Sequence, residues 1–342
     1  MPPILPTPDE RFSAITTLSL DRLCTDFSVL TDPQRIRRRW ANVTPLEIGQ
    51  SRAHIPMLAC EVGEGPEIVS VIAGCHADEP IGPLTALALP DILSLNFPGL
   101  LDRYTFRIIP QMNPDGAQRN AVWYANPPAF APYWKTVTRE LPGDDIEFGF
   151  GDATSVRPEC AAAMAFMRAR GPVAAHFSLH GLAMGRGAWF LLDPAWVSRS
   201  EPLMADLASL CGRLNVPLHD EPRDGAKGFA RIREGFCTTP NSAAMRDHFL
   251  QRNDPDTASR FHPNSMEFAR SLGGDPFCAV SELPLFLYEG NATGTYAALK
   301  AALKEGNSPE ALERDHPVKA MPVELQMRLQ LGLILLALHH LP

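Results

Sequence analysis

Five short apolar runs constrain the fold of this chain more than any other feature. They are "EIVSVIAG" from residue 67, "YTFRIIP" from 104, "VAAHFSLHG" from 173, "AWFLLDP" from 188 and "FCAVSELPLF" from 277. Each is rich in β-branched and aromatic residues and short enough to be a buried strand. Helical segments stand among them: "LTALALPDILSL", the alanine-rich "RPECAAAMAFMRAR" with Pro158 at its start, "EPLMADLASLCGRL" and "TYAALKAALKEG". Strands alternating with helices give an α/β sheet covered on both faces. "HIPMLACEV" adds a strand before the first run, and the intervening "GEGP" predicts a hairpin or tight connection between neighbours. Pro90 is expected to kink or end its helix. The polar stretch between Gly225 and Gly274 reads as loops and short helices over one edge. With no linker, residues 1–342 read as one domain: an appendage over 1–44, a core over 45–305 and C-terminal helices over 306–342.

Composition narrows the function classes. The chain has 342 residues, 45% of them hydrophobic, ample for a large core. A net charge of −8 argues against nucleic acid as partner. The most apolar stretch, "LQLGLILLALHHL", is too short to span a membrane, and "MPPILPTPDERF" lacks the features of a signal peptide. Seven scattered cysteines fit free thiols in a reducing, cytoplasmic setting.

The chemistry concentrates at strand ends, where open α/β sheets collect ligands. "GCHADEP" places His76 and Glu79 on one loop just after a strand. Imidazole nitrogen and carboxylate oxygen are both zinc ligands; alternatively, Glu79 only opens a helix near its positive end. "HFSLHG" offers His176 and His180. On a strand these lie about 13 Å apart, too far to share one ion. His180, expected at the strand's end beside Gly181, is the better ligand, and His176 reads as a core histidine. Glu282 is a carboxylate within an apolar strand, a costly placement without a partner or a task.

Taken in order, these segments resemble the zinc carboxypeptidases (metallocarboxypeptidases). The matching pieces are a loose Gly-x-Ser-x segment in "IGQSRAHIPMLACEVGEGP", His-x-x-Glu in "GCHADEP", Asn-Pro-Asp-Gly in "IIPQMNPDGAQRN", the later histidine in "HFSLHG" and the glutamate in "AVSELPLF". They span roughly residues 45–305. The resemblance implies a mixed, twisted central sheet flanked by helices and one Zn2+ per chain held by His76, Glu79 and His180. Glu282 would be general base and acid toward zinc-activated water, and Arg119, just past the Asn-Pro-Asp-Gly turn, the cation for the oxyanion. The chain would be a divergent bacterial-type cytoplasmic member.

One departure is informative. Where many relatives read Asn-Arg to grip a terminal carboxylate, "GDDIEFGF" carries Glu147 and Phe148. Glu147 is therefore expected to meet a cationic or neutral substrate end or, as an alternative, to point away and bind a nearby arginine. Arg157, Arg231 and Arg233 are the candidate substitutes for the missing arginine. The expected function is zinc-dependent hydrolysis of a peptide or amide bond near the end of a small peptide or modified amino acid. Two alternatives are an acyl-amino-acid deacylase of the aspartoacylase or succinylglutamate desuccinylase type, and a zinc-free pseudoenzyme acting as a binding module. The deacylases typically keep the Asn-Arg pair and lack Asn-Pro-Asp-Gly, the opposite of this chain.

Overall fold

The computed structural model describes residues 8–20, 26–125, 128–142, 144–151, 157–220, 225–288, 301–303, 305–315 and 318–342. Among these residues ten strands form a single sheet: β1 Leu46–Gln50, β2 Pro56–Val62, β3 Glu67–Ala73, β4 Tyr104–Ile109, β5 Ala175–Gly185, β6 Trp189–Leu192, β7 Arg231–Arg233, β8 Phe236–Thr238, β9 Phe277–Tyr288 and β10 Val318–Ala320. Their order is β1-β2-β4-β3-β5-β9-β6-β8-β7, with β10 on the far half of β9. The sheet is mixed. Its centre is parallel (β4 with β3, β3 with β5, β5 with β9), and antiparallel pairs lie to either side.

The connection through "GEGP" is not a hairpin. β4 inserts between β2 and β3, antiparallel to the first and parallel to the second. The turn packs on the backbone entering β4, where the amides of Glu64 and Gly65 both donate to the Leu101 carbonyl. Helix Ile81–Asn96 also runs on through Pro90. Trp40 Nε1 donates to the Leu87 carbonyl at 3.1 Å, next to the Ala86 carbonyl that loses its helical donor to Pro90. The stretch from Gly225 to Gly274 holds short helices as expected, together with β7 and β8, which extend the sheet edge. The helix expected over "TYAALKAALKEG" lies partly outside the described residues, and residues 301–303 within it are helical.

Helices Ile81–Asn96, Glu201–Arg213 and Val323–His340 pack together over one face. The other face lies beneath helices Pro158–Arg168 and Ser265–Ser271. The N-terminal segment joins the first of these layers through Phe12, Ile15, Phe27, Leu30 and Trp40, all buried. Arg328, on the C-terminal helix, fastens it by donating to the carbonyls of Ile15 at 2.8 Å and Leu18 at 2.6 Å. Among the described residues, no helix is long and apolar enough to cross a membrane.

β5 and β9 are the longest strands and run side by side well past the end of β3, bringing His180 level with Glu282. His180 is thus in the middle of β5 rather than at its end. The pairing continues through Gly181 as far as Gly185 opposite Leu287, and this shelf of two strands underlies the site.

Candidate metal centre

The loop after β3 turns at Gly74, whose φ of +73° suits glycine. A Cβ there would meet the Gln111 side chain at 2.3 Å. The Asn-Pro-Asp-Gly turn braces this loop from outside. Asn113 Oδ1 accepts from the Gly116 amide at 2.9 Å, capping the helix that Pro114 opens. Gly116 lets that helix press on Ala77, since a Cβ at Gly116 would lie 2.4 Å from the Ala77 methyl. Asn120 Nδ2 and the Tyr124 hydroxyl both donate to the Ala77 carbonyl, at 3.1 and 2.7 Å. Asp115 reaches back to the Gly-x-Ser-x segment, accepting from the Ser51 hydroxyl and the Ala53 amide.

Held this way, the loop presents His76 and Glu79 to His180. Nδ1 of His76 and Nδ1 of His180 lie 3.0 Å apart. Glu79 divides its carboxylate between them, with Oε1 2.9 Å from His76 Nδ1 and Oε2 2.9 Å from His180 Nδ1. The Gly181 amide donates to the same Oε2 at 3.1 Å. Burial alone would raise the Glu79 pKa, but His76, Arg139 and His180 outweigh it and hold the carboxyl well below its ordinary range. Burial likewise works against a charged His180, yet Glu147 and Glu79 raise its pKa well above the usual value.

Two ring nitrogens and a carboxylate converging on one point make a zinc donor set that leaves a position for water. The chain fits such an ion in a further respect. Glu282 lines the same cleft, and its Oε2 is buried without a hydrogen-bond partner among the described residues. Burial first, then the nearby Glu79 charge, pushes the Glu282 pKa up to about 8. A dication at the donor set would offset both.

Behind His180 is a second group. Its Nε2 lies 2.9 Å from Glu147 Oε2, and the Ser265 hydroxyl donates to Glu147 Oε1 at 3.2 Å. Glu147 is buried, so its charge is committed to a histidine rather than to an arginine. Cys75 Sγ, a Glu147 oxygen and a His180 nitrogen lie within 4.8 Å of one another. Burial pushes the Cys75 thiol far up, which leaves it a neutral neighbour rather than a thiolate ligand. The neighbouring Phe148 turns inward and packs edge-on against Phe261, with ring centroids 5.2 Å apart, and Phe261 stacks on Phe249. An aromatic wall thus forms beside Glu147.

Two adjoining hollows hold cationic residues, and Arg139 lines both. The metal cleft, about 490 Å3, is lined by Arg139 and not by Arg119 or Arg157. Arg139 Nη1 lies 2.9 Å from Glu79 Oε1 and 3.2 Å from Asp78 Oδ1. Arg119 is half-exposed, pairs with Glu140 and lines an adjoining pocket together with Arg157. Arg157 is tied to Glu159 at 3.1 Å and to the Asp144 carbonyl at 2.9 Å. Arg231 and Arg233 pair with Asp220 and Glu201 and also lie outside the cleft lining. Arg139 was not singled out in the sequence. It sits in "TVTRELPG", which has no periodicity to show that the segment folds back over the metal loop.

Residues 34–184 match the family described as zinc carboxypeptidase, a span that includes His76, Glu79 and His180. Over that span, a little under half of its length, the chain is similar to the zinc carboxypeptidases. Solved structures with the same fold include a candidate metallopeptidase of Shewanella amazonensis, 14% identical with a TM-score of 0.53, over 91% of this chain and 94% of that one. Another, from Shewanella denitrificans, is 12% identical with a TM-score of 0.55, over 91% of each chain. A metallo-carboxypeptidase of Pseudomonas aeruginosa, in complex with (2-guanidinoethylmercapto)succinic acid, is 16% identical with a TM-score of 0.52, over 91% of this chain and 69% of that one. No curated protein matches the chain. The matching family implies zinc, and His76, Glu79 and His180 are a group that could hold such an ion.

His176 lies deeper along β5, fully buried, with Nδ1 3.0 Å from the Ser70 hydroxyl and no partner at Nε2 among the described residues. Burial lowers its pKa to about 4. Between roughly pH 6.5 and pH 4 the unfolded chain therefore binds a proton that the folded chain refuses. Stability is complete above this window and falls through it on acidification, by about 3 kcal/mol in all. His176→Leu should remove that slope from the acid side of a denaturant-derived stability curve. An unchanged slope would place the acid sensitivity elsewhere.

Proposed function

We propose that the protein is a zinc-dependent hydrolase that cleaves a peptide or amide bond near the end of a small peptide or modified amino acid. The observation that carries this reading is the meeting of His76 Nδ1, both Glu79 oxygens and His180 Nδ1 in the cleft that Glu282 also lines. His76, Glu79 and His180 would hold one Zn2+, which when bound depresses the pKa of water and polarises a carbonyl. Glu282 takes the proton of the attacking water and returns it to the departing amine. Glu147 accepts from Nε2 of His180 and fixes the ring with Nδ1 turned toward the ion. Arg139, at the cleft wall beside Glu79, supplies the positive charge for the oxyanion, the role that the sequence pattern suggested for Arg119.

Arg139→Ala should lower kcat about a hundredfold or more with little change in KM, and Arg119→Ala should leave both near normal. Equal losses in the two variants would return the role to Arg119.

The substrate end is expected to be neutral or apolar, because Phe148, Phe261 and Phe249 form the wall where an arginine fork would stand. A zinc titration followed by matched substrates with free, amidated and blocked ends tests the whole reading. One zinc per chain and amide cleavage are the expected results. A protein that binds no zinc, or that cleaves no peptide or amide bond in these substrates, overturns it, and cleavage of acyl-amino acids alone narrows it to the deacylase alternative.

A further inference from the structure

We propose that Gln330, on the C-terminal helix, is a positioning residue that sets His180 and Glu282 relative to each other; the inference rests on the metal-site reading above. Gln330 stands in "LQLGLILLAL", where every neighbour is apolar or glycine, and it is fully buried. A buried amide is costly unless each of its groups is satisfied. This one is. Nε2 donates to the His180 carbonyl at 3.1 Å and to the Ser281 hydroxyl at 3.1 Å, while Oε1 faces the Thr85 hydroxyl at 2.5 Å. The carbonyl of His180 can only accept, so the amide orientation is fixed by chemistry.

The three partners belong to the three segments that supply the site. Thr85 is in the helix that starts two residues after Glu79. His180 is itself the ligand on β5, and Ser281 immediately precedes Glu282 on β9. Ser281 Oγ also lies 3.4 Å from the His180 carbonyl, which closes the network. By contrast Gln326, one turn earlier, donates to the nearby Met321 carbonyl, within its own segment. A single side chain beyond the span that matches the family thus ties the metal loop's helix, the ligand strand and the base's strand at one point. Small displacements of such groups cost binding and rate out of proportion to their size.

The test compares wild type with Gln330→Leu and the gentler Thr85→Val. The measurements are zinc dissociation constants by chelator competition, the visible spectrum of the cobalt-loaded protein, kcat and KM, and the melting temperature without metal. Gln330→Leu should weaken zinc binding about tenfold or more, alter the cobalt spectrum and lower kcat more than it changes KM. Thr85→Val should move each reading the same way by a smaller factor, and it decides the matter if Gln330→Leu does not fold. A lower melting temperature with unchanged zinc affinity and cobalt spectrum would make Gln330 a packing residue only. Wild-type protein that takes up no zinc would overturn the metal-site reading, and this inference with it.

Discussion

Glu282→Gln is expected to keep its zinc and lose turnover by about 10²- to 10⁴-fold. The substitution preserves size and removes the proton acceptor. Among the described residues Glu282 is in no hydrogen-bonded brace of the donor set, and its Oε2 has no partner to lose. The fold has little reason to object either. A carboxyl pushed up to about 8 by burial and by Glu79 is one whose negative charge the metal-free fold disfavours. A neutral amide at that position relieves the metal-free protein of this charge, so its stability at neutral pH should be equal or higher. Zinc content by atomic absorption, melting temperature without metal and kcat/KM on one amide substrate settle the point together. Retained zinc with near-normal turnover would move the base to another carboxylate. Lost zinc would instead make Glu282 part of the metal's own environment.

The sequence showed the parts of this site that depend on local pattern. Apolar runs placed β3, β4, β5 and β9, and the His-x-x-Glu loop followed β3 where a strand-end site was expected. What it concealed depends on pairing over long distances. Nothing in "GEGP" says that β4 will slide between β2 and β3, because strand order is set by which edges pair later in the chain. Glu147 shows the same limit from the side-chain end. A motif comparison set it against substrate, whereas in the fold it faces His180, whose position 33 residues further along is fixed by β5. Arg139 and Gln330 were illegible for opposite reasons. One stands in an aperiodic segment that folds back over the loop, and the other in a helix so apolar that a lone glutamine carries no pattern. The Asn-Pro-Asp-Gly turn lay between these cases. Its turn chemistry was readable, but its grip on the Ala77 carbonyl through Asn120 and Tyr124 was not.

His180→Ala is expected to strip most of the zinc from the protein, and the size of the loss should be graded by what else touches His180. The alanine removes a donor outright and leaves two protein residues, fewer than the three of catalytic zinc sites. Glu147→Gln removes only the negative charge behind Nε2, so the ring keeps a hydrogen-bond acceptor but loses basicity. A loss of about 10- to 100-fold in zinc affinity is the expected result. His176→Ala should leave zinc bound, because that ring lies deeper along β5 and bonds Ser70 rather than any member of the donor set. The order of affinities is therefore wild type and His176→Ala, then Glu147→Gln, then His180→Ala. Affinities should be measured at fixed pH near neutrality, since an imidazolium must release its proton before it can ligate, and Glu79 and Glu147 both hold that proton on His180. The same competition makes zinc binding to wild type release protons, and Glu147→Gln should release fewer, because the imidazolium it replaces is less stabilised. If Glu147→Gln binds zinc as wild type does, the contact between Glu147 and His180 is packing alone. The acidic side chain would then be free for the substrate end that "GDDIEFGF" first suggested.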